Sequence, residues 1–165
     1  KFVRIWDAAS GEKLDLDFGE GKEIYDVLLS PDGNLLAVSD QDGVVTLWGV
    51  DSRNKVRTFV GHSGLVNRLA FSRDGMLLAS ASFDRLAKVW DVATGEEITS
   101  LYGNASNVFG VAFSPDGKRL VTAGADGTVR IFTLSLDDLI ALARSRLTRA
   151  LTPEECLKYL HRVCP

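Results

Sequence analysis

Several residue types are scarce in this chain of 165 residues, and each scarcity removes a class of function. There are two cysteines, Cys156 and Cys164, both close to the C-terminus. That is too few for a disulfide framework, so a reducing, cytoplasmic setting is the default expectation. Histidine is equally rare: His62 and His161 are the only two. No carboxylate loop has calcium-ligand spacing, and a structural zinc site wants four N or S ligands. The trio Cys156, His161 and Cys164 is therefore read as tail packing, and neither metal nor cofactor is expected. Basic charge is not in excess. A formal net charge of −3 gives no footprint for nucleic acid and no polybasic patch for a membrane surface. No apolar run approaches the length of a membrane-spanning helix. No glycine-rich phosphate loop occurs either: Gly124-Ala125-Asp126-Gly127 sits between two strand-like runs, not at a strand-to-helix junction. Asn104-Ala105-Ser106 matches a glycosylation sequon, which carries little weight in a cytoplasmic protein. Residue 1 is Lys and the only methionine is Met76, so the lack of a targeting segment decides nothing.

What the chain has in abundance is repetition. Trp6, Trp48, Trp90 and Phe132 follow one another at intervals of 42 residues. Ser30-Pro31-Asp32-Gly33 returns with the same step as Ser72-Arg73-Asp74-Gly75 and Ser114-Pro115-Asp116-Gly117. So do Asp42, Asp84 and Asp126, and Gly19, Gly61 and Gly103. Four columns in one register, without insertion, mark an internal repeat. Each period reads as four short strands; in the middle one they fall at about Leu65–Phe71, Met76–Ser82, Leu86–Asp91 and Glu97–Leu101. The turns between them carry the Gly and Asp that tight turns demand. Val44-Val45-Thr46-Leu47-Trp48 and Thr128-Val129-Arg130-Ile131-Phe132 are β-branched and aromatic, as third strands. Blurred alternation in the inner strands suits sheets covered on both faces.

On these residues, with the dipeptides Trp6-Asp7 and Trp90-Asp91 and the pair Gly61-His62, the chain over residues 1–134 resembles the WD-repeat family. The resemblance implies an all-β fold of WD-type β-propeller blades, radially arranged. Departures are visible: Trp48 is followed by Gly49, Phe132 stands in a Trp column, and one repeat alone keeps Gly-His. The family also implies a hydrogen-bonded tetrad inside the blade, here His62, Ser80, Asp84 and Trp90, with Ser82 the alternative serine. The side chains suit that arrangement, since an imidazole can bridge a carboxylate and a hydroxyl while an indole N–H donates to the hydroxyl. The competing possibility, a catalytic Ser-His-Asp triad, needs an exposed nucleophile and an oxyanion hole, which nothing in the sequence marks. The first repeat offers Ser39, Asp42 and Trp48 but has Glu20 in the histidine column; the last offers Thr122 and Asp126 with Asn104 and Phe132.

Asp26, Arg68 and Gly110 share one column on the innermost strands. Asp26 and Arg68 are expected to face each other across the channel, the alternative being two separately solvated charges. A partner surface is expected on the rim formed by turns between second and third strands and by loops leading into first strands. It presents Gln41, Phe83, Arg85, Ala125, Ser63, Tyr102 and Asn104. Phe83 and Arg85 are expected to lie exposed there, against the alternative that Phe83 folds back on the neighbouring blade.

After Phe132 the period stops. Residues 135–165 read as a short α-helical tail. Ser135 caps a helix with Leu136, Leu139, Ile140, Ala143 and Leu147 in one stripe. Thr152-Pro153-Glu154-Glu155 opens a second. Leu151-Thr152-Pro153-Glu154-Glu155-Cys156 and Tyr159-Leu160-His161 resemble the C-terminal ending of large bacterial WD-repeat signalling proteins, which implies an upstream NACHT or NB-ARC NTPase, a Ser/Thr kinase or a protease-like effector. Two, four, four and three strands make a partial ring of about three to three and a half blades. Upstream blades of the same polypeptide are then expected to close it. The functional expectation is a non-catalytic protein–protein interaction module in signal transduction. The alternatives are a propeller enzyme of the metal-dependent hydrolase type, or a regulatory domain whose NTPase or kinase activity lies upstream.

Overall fold

The protein is described by a computed structural model over residues 3–6, 8–18 and 21–135. The expected helical tail, with Cys156, His161 and Cys164, lies outside these residues, as do Asp7, Gly19 and Glu20. The chain divides into two units, Lys1–Phe132 and Thr133–Pro165. Every regular element among the described residues is a β-strand.

Thirteen strands form four antiparallel sheets. β1 (Val3–Trp6) and β2 (Lys13–Phe18) make a pair. β3 (Ile24–Leu29), β4 (Leu35–Asp40), β5 (Val45–Gly49) and β6 (Lys55–Phe59) make the first full blade. β7 (Val66–Phe71), β8 (Leu77–Ser82), β9 (Ala87–Asp91) and β10 (Glu97–Leu101) make the second. β11 (Val108–Phe113), β12 (Arg119–Gly124) and β13 (Val129–Thr133) make a last, three-stranded sheet. In each sheet the strands pair in sequence order, as a meander.

Local chemistry explains the hairpins. In the β7–β8 turn the Ser72 hydroxyl donates to Asp74 Oδ1 at 2.6 Å and accepts the Leu77 amide at 2.9 Å, while Asp74 accepts the Met76 amide at 3.0 Å. Gly75 closes the turn at φ 73°, a left-handed conformation glycine adopts without penalty. The same pattern holds at Ser30-Asp32 and Ser114-Asp116. These three aspartates sit below the ordinary carboxylate range, because the serine hydroxyl and a backbone amide favour the ionised form.

Packing follows from blades covered on two sides. Ala37, Val45, Leu47 and Phe59 of the first blade bury against Val66, Leu69, Leu78 and Trp90 of the second. The opposite face of the first blade, with Leu36, Val38 and Trp48, packs on Val3 and Ile5 of β1. β4 and β8 are accordingly buried on successive residues, without alternation. β12 and β13 alternate, because one face of the last sheet carries Val129 and Ile131 at 68% and 66% exposure. Each inner strand also breaks register at one column, Tyr25, Asn67 and Phe109, placing a bulge at the same end of every blade.

Candidate functional site: a buried polar network and an exposed rim

Strand pairing brings the middle repeat's marked residues together. Ser80 on β8 and Trp90 on β9 point to the same side of one hairpin, while Asp84 comes from the turn that closes it and His62 from the loop before β7 at the same end. His62 Nδ1 lies 2.7 Å from Asp84 Oδ2, and His62 Nε2 lies 2.7 Å from Ser80 Oγ. Trp90 Nε1 donates to Ser80 Oγ at 2.8 Å. The donor inventory fits one assignment: indole N–H to hydroxyl oxygen, hydroxyl proton to Nε2, and Nδ1–H to carboxylate. Asp84 also accepts the amides of Ser63 at 3.0 Å and Leu86 at 2.9 Å. Burial by itself pushes the Asp84 carboxyl up. The hydrogen bond from His62, the imidazole alongside and the two amides outweigh it and hold the group below its ordinary value.

Ser80 is fully buried, and its oxygen is committed to two partners. No face of it is open to a substrate, so this Ser-His-Asp set braces the blade and lacks the exposed nucleophile of a triad.

The network extends to residues not singled out from sequence. Buried Lys88, two residues before Trp90 on the same strand face, donates to Glu97 Oε2 and Ser100 Oγ, each at 2.7 Å. Its ammonium lies 5.7 Å from the centre of the Trp90 ring. The Lys88 hydrogen bond, followed by that of Ser100, holds Glu97 below its ordinary range. A lysine in register with tryptophan on a β-rich strand was the available signal.

Three positions need correction, Ser39, Asn104 and Phe83. Ser39 does not occupy the Ser80 column: Val38 does, buried against Trp48. Ser39 Oγ instead accepts the Asp26 amide at 3.0 Å and donates to the Asp26 carbonyl at 3.4 Å. Asp42 pairs with Lys22 at 2.9 Å, which also reaches Asp40 at 3.3 Å. Asn104, expected on the partner surface, is buried. It fills the histidine column of the last sheet, where its Oδ1 accepts from Thr122 and from Arg130, each at 3.3 Å. Arg130, in the Lys88 column, also pairs with Asp126 at 3.1 Å. The Thr128 hydroxyl, the Ala105 amide and Arg130 hold Asp126 well below the usual carboxylate range.

Asp26 and Arg68 do approach each other, at 3.7 Å between Oδ1 and Nη1. The stronger tie is to backbone: Asp26 Oδ2 accepts the Leu69 amide at 2.8 Å, joining the inner strands of adjacent blades. Asn67 Nδ2 donates to the Phe109 carbonyl at 3.0 Å across the next junction.

On the rim, Gln41, Ser63, Arg85, Tyr102 and Ala125 are exposed. Phe83 is not exposed as expected. It is half-buried and sets its ring edge-on to Phe109 of the next sheet, with centroids 5.5 Å apart. Burying ring area between blades outweighs leaving it in water.

Comparison with known proteins agrees with this geometry. The family described as "WD domain, G-beta repeat" matches residues 15–49, 53–91 and 95–133, more than half of the chain. Each match joins the outer strand of one sheet to three strands of the next. A chain in the crystal structure of the mitotic checkpoint complex is similar at 33% identity and TM-score 0.73, covering 80% of this chain and 40% of that one. The RRP9 WD40 repeats are similar at 24% identity and TM-score 0.67, covering 71% and 37%. This chain therefore spans about two fifths of the solved chains it matches. No curated protein is detectably similar in sequence. Repeat spacing, four-stranded meander blades and the buried tetrad agree with the family match, and the chain belongs to the WD domain, G-beta repeat family.

Proposed function

We propose that this chain is the non-catalytic interaction module of a larger cytoplasmic signalling protein, presenting a rim of loops to a protein partner. WD-repeat domains are typically scaffolds for protein–protein interaction. The observation that carries the proposal is the state of Ser80. The one Ser-His-Asp set among the described residues spends its hydroxyl on Trp90 and His62 inside the blade, while the rim above it is left exposed. A ring closed by upstream blades accounts for the uncovered Val129 and Ile131, since soluble proteins rarely leave contiguous apolar faces in water. The tail's likeness to large bacterial WD-repeat signalling proteins supports an NTPase, kinase or protease-like effector upstream.

The test is site-specific photocrosslinking in the full-length protein. A photoreactive residue at Gln41 or Tyr102 on the rim should trap a protein partner. The same group at Met76, exposed in the turn at the opposite end of the blade, should not. Equal trapping at both ends, or none at the rim, would refute the rim as the partner surface.

A further inference from the structure

One turn of the rim is built unlike its counterparts. The tip between second and third strands holds Gly43 in the first blade, Arg85 in the second and Gly127 in the last sheet. All three are left-handed, with φ of 82°, 72° and 75°. Glycine accepts that conformation freely, whereas a side chain with a Cβ is strained there. Arginine at the middle tip works against the turn, and strain held at one of several equivalent positions points toward a use for the side chain.

The use is not internal. Neighbouring rim charges are already matched: Lys22 with Asp40 and Asp42, and Asp126 with Arg130. The Arg85 side chain is exposed, and its guanidinium makes no hydrogen bond or ion pair with any described residue.

Beside it lies an apolar ledge. Phe83, two residues before Arg85 in the same turn, contacts Phe109 edge-on. The inner-strand bulge lifts Phe109 out of the ladder, and Asn67 pins its carbonyl. Phe109 remains 47% exposed. The equivalent positions at the first junction are Gln41 and Asn67, and no sheet follows Ala125 among the described residues, so the pairing of two phenylalanines belongs to the second junction alone. Arg68, its side chain 59% exposed, follows Asn67 on the same inner strand.

From these placements we infer that Arg85 and the Phe83–Phe109 ledge form an anchor site for an acidic peptide segment, its carboxylate on the Arg85 guanidinium and a neighbouring aromatic or aliphatic side chain on the ledge. A planar guanidinium takes a carboxylate in two parallel hydrogen bonds. An aromatic flanked by arginine is the composition of binding hot spots. The inference rests on the interaction-module reading above and supplies the partner's chemistry.

The decisive variant is Arg85→Gly, which restores the residue used by the other two turns and so cannot lose binding through damage to the fold. Full-length protein is applied to an array of random hexapeptides. The expected result is enrichment of peptides in which Asp or Glu adjoins Phe, Trp, Leu or Ile. Binding should fall at least tenfold in Arg85→Gly, with a melting temperature equal to or above that of the parent. Phe109→Ala should weaken the same peptides. No enrichment of acidic peptides, or equal binding by Arg85→Gly, overturns the inference. So does polyuridine RNA bound through Arg85 in place of peptide. Rim crosslinking at Gln41 or Tyr102 without acidic enrichment would defeat this inference and leave the wider reading standing. No rim crosslink together with no acidic enrichment would overturn both.

Discussion

Ser80 holds one oxygen between an indole and an imidazole, and this makes it the most exacting position in the second blade. Ser80→Ala leaves the Trp90 N–H and His62 Nε2 buried without their partner, at a cost of roughly 1–3 kcal/mol. Urea unfolding should show that loss, and an unchanged midpoint would mean that the network does not brace the blade. Arg85→Gly should act in the opposite direction, gaining about 1 kcal/mol by relieving a left-handed side-chain residue. Acid response also belongs to this scale. Asp84, Asp126, the turn aspartates and Glu97 all have folded-state values held below ordinary ones. A depressed carboxylate contributes stability that is present above its unfolded value and lost as pH falls through the folded one. Stability should therefore hold from neutrality to about pH 5 and decline below about pH 4. Asp84→Asn should flatten part of that decline. A wild-type protein more stable at acid pH than at neutrality would contradict the assignment.

At the scale of elements, the junctions between inner strands are fixed by side chain to backbone bonds as much as by apolar packing. The Asp26 carboxylate on the Leu69 amide spans the first junction, and the Asn67 amide on the Phe109 carbonyl spans the second. Asp26→Ala should speed hydrogen exchange at the Leu69 amide, while amides of the β8–β9 hairpin keep their protection. Equal acceleration in both would mean that the tie serves global stability and not the junction. The strands themselves were legible in the sequence, since turn residues recur every 42 positions and the residues between them are β-rich. The four strands expected in the middle repeat match β7–β10 to within a residue at each end. The bulge column was not legible, because Tyr25, Asn67 and Phe109 share no side-chain chemistry and the register shift arises in the ladder.

For the molecule as a whole, the faces differ in what covers them. The second blade is covered on both sides, and the last sheet on one. The 165-residue chain alone should self-associate as concentration rises. Val129→Thr with Ile131→Thr should reduce that association in sedimentation runs, because the two β-branched apolar side chains stand 68% and 66% exposed. Monomeric behaviour of the parent at high concentration would argue that the face is tolerated in water.

The sequence by itself determined what is encoded within a repeat: the strands and the turns, because turn residues recur at a fixed spacing, and, through the resemblance to the WD-repeat family, the tetrad of His62, Ser80, Asp84 and Trp90. Tertiary structure alone decided what happens between repeats. Phe83 turned onto Phe109, Asn104 went inside with Arg130 drawn to it, and Asp26 chose a backbone amide over a full pairing with Arg68. Those outcomes depend on which neighbour lies a few ångströms away across a blade junction, where burying a ring or satisfying an amide competes with water, and no periodicity along one chain records that competition.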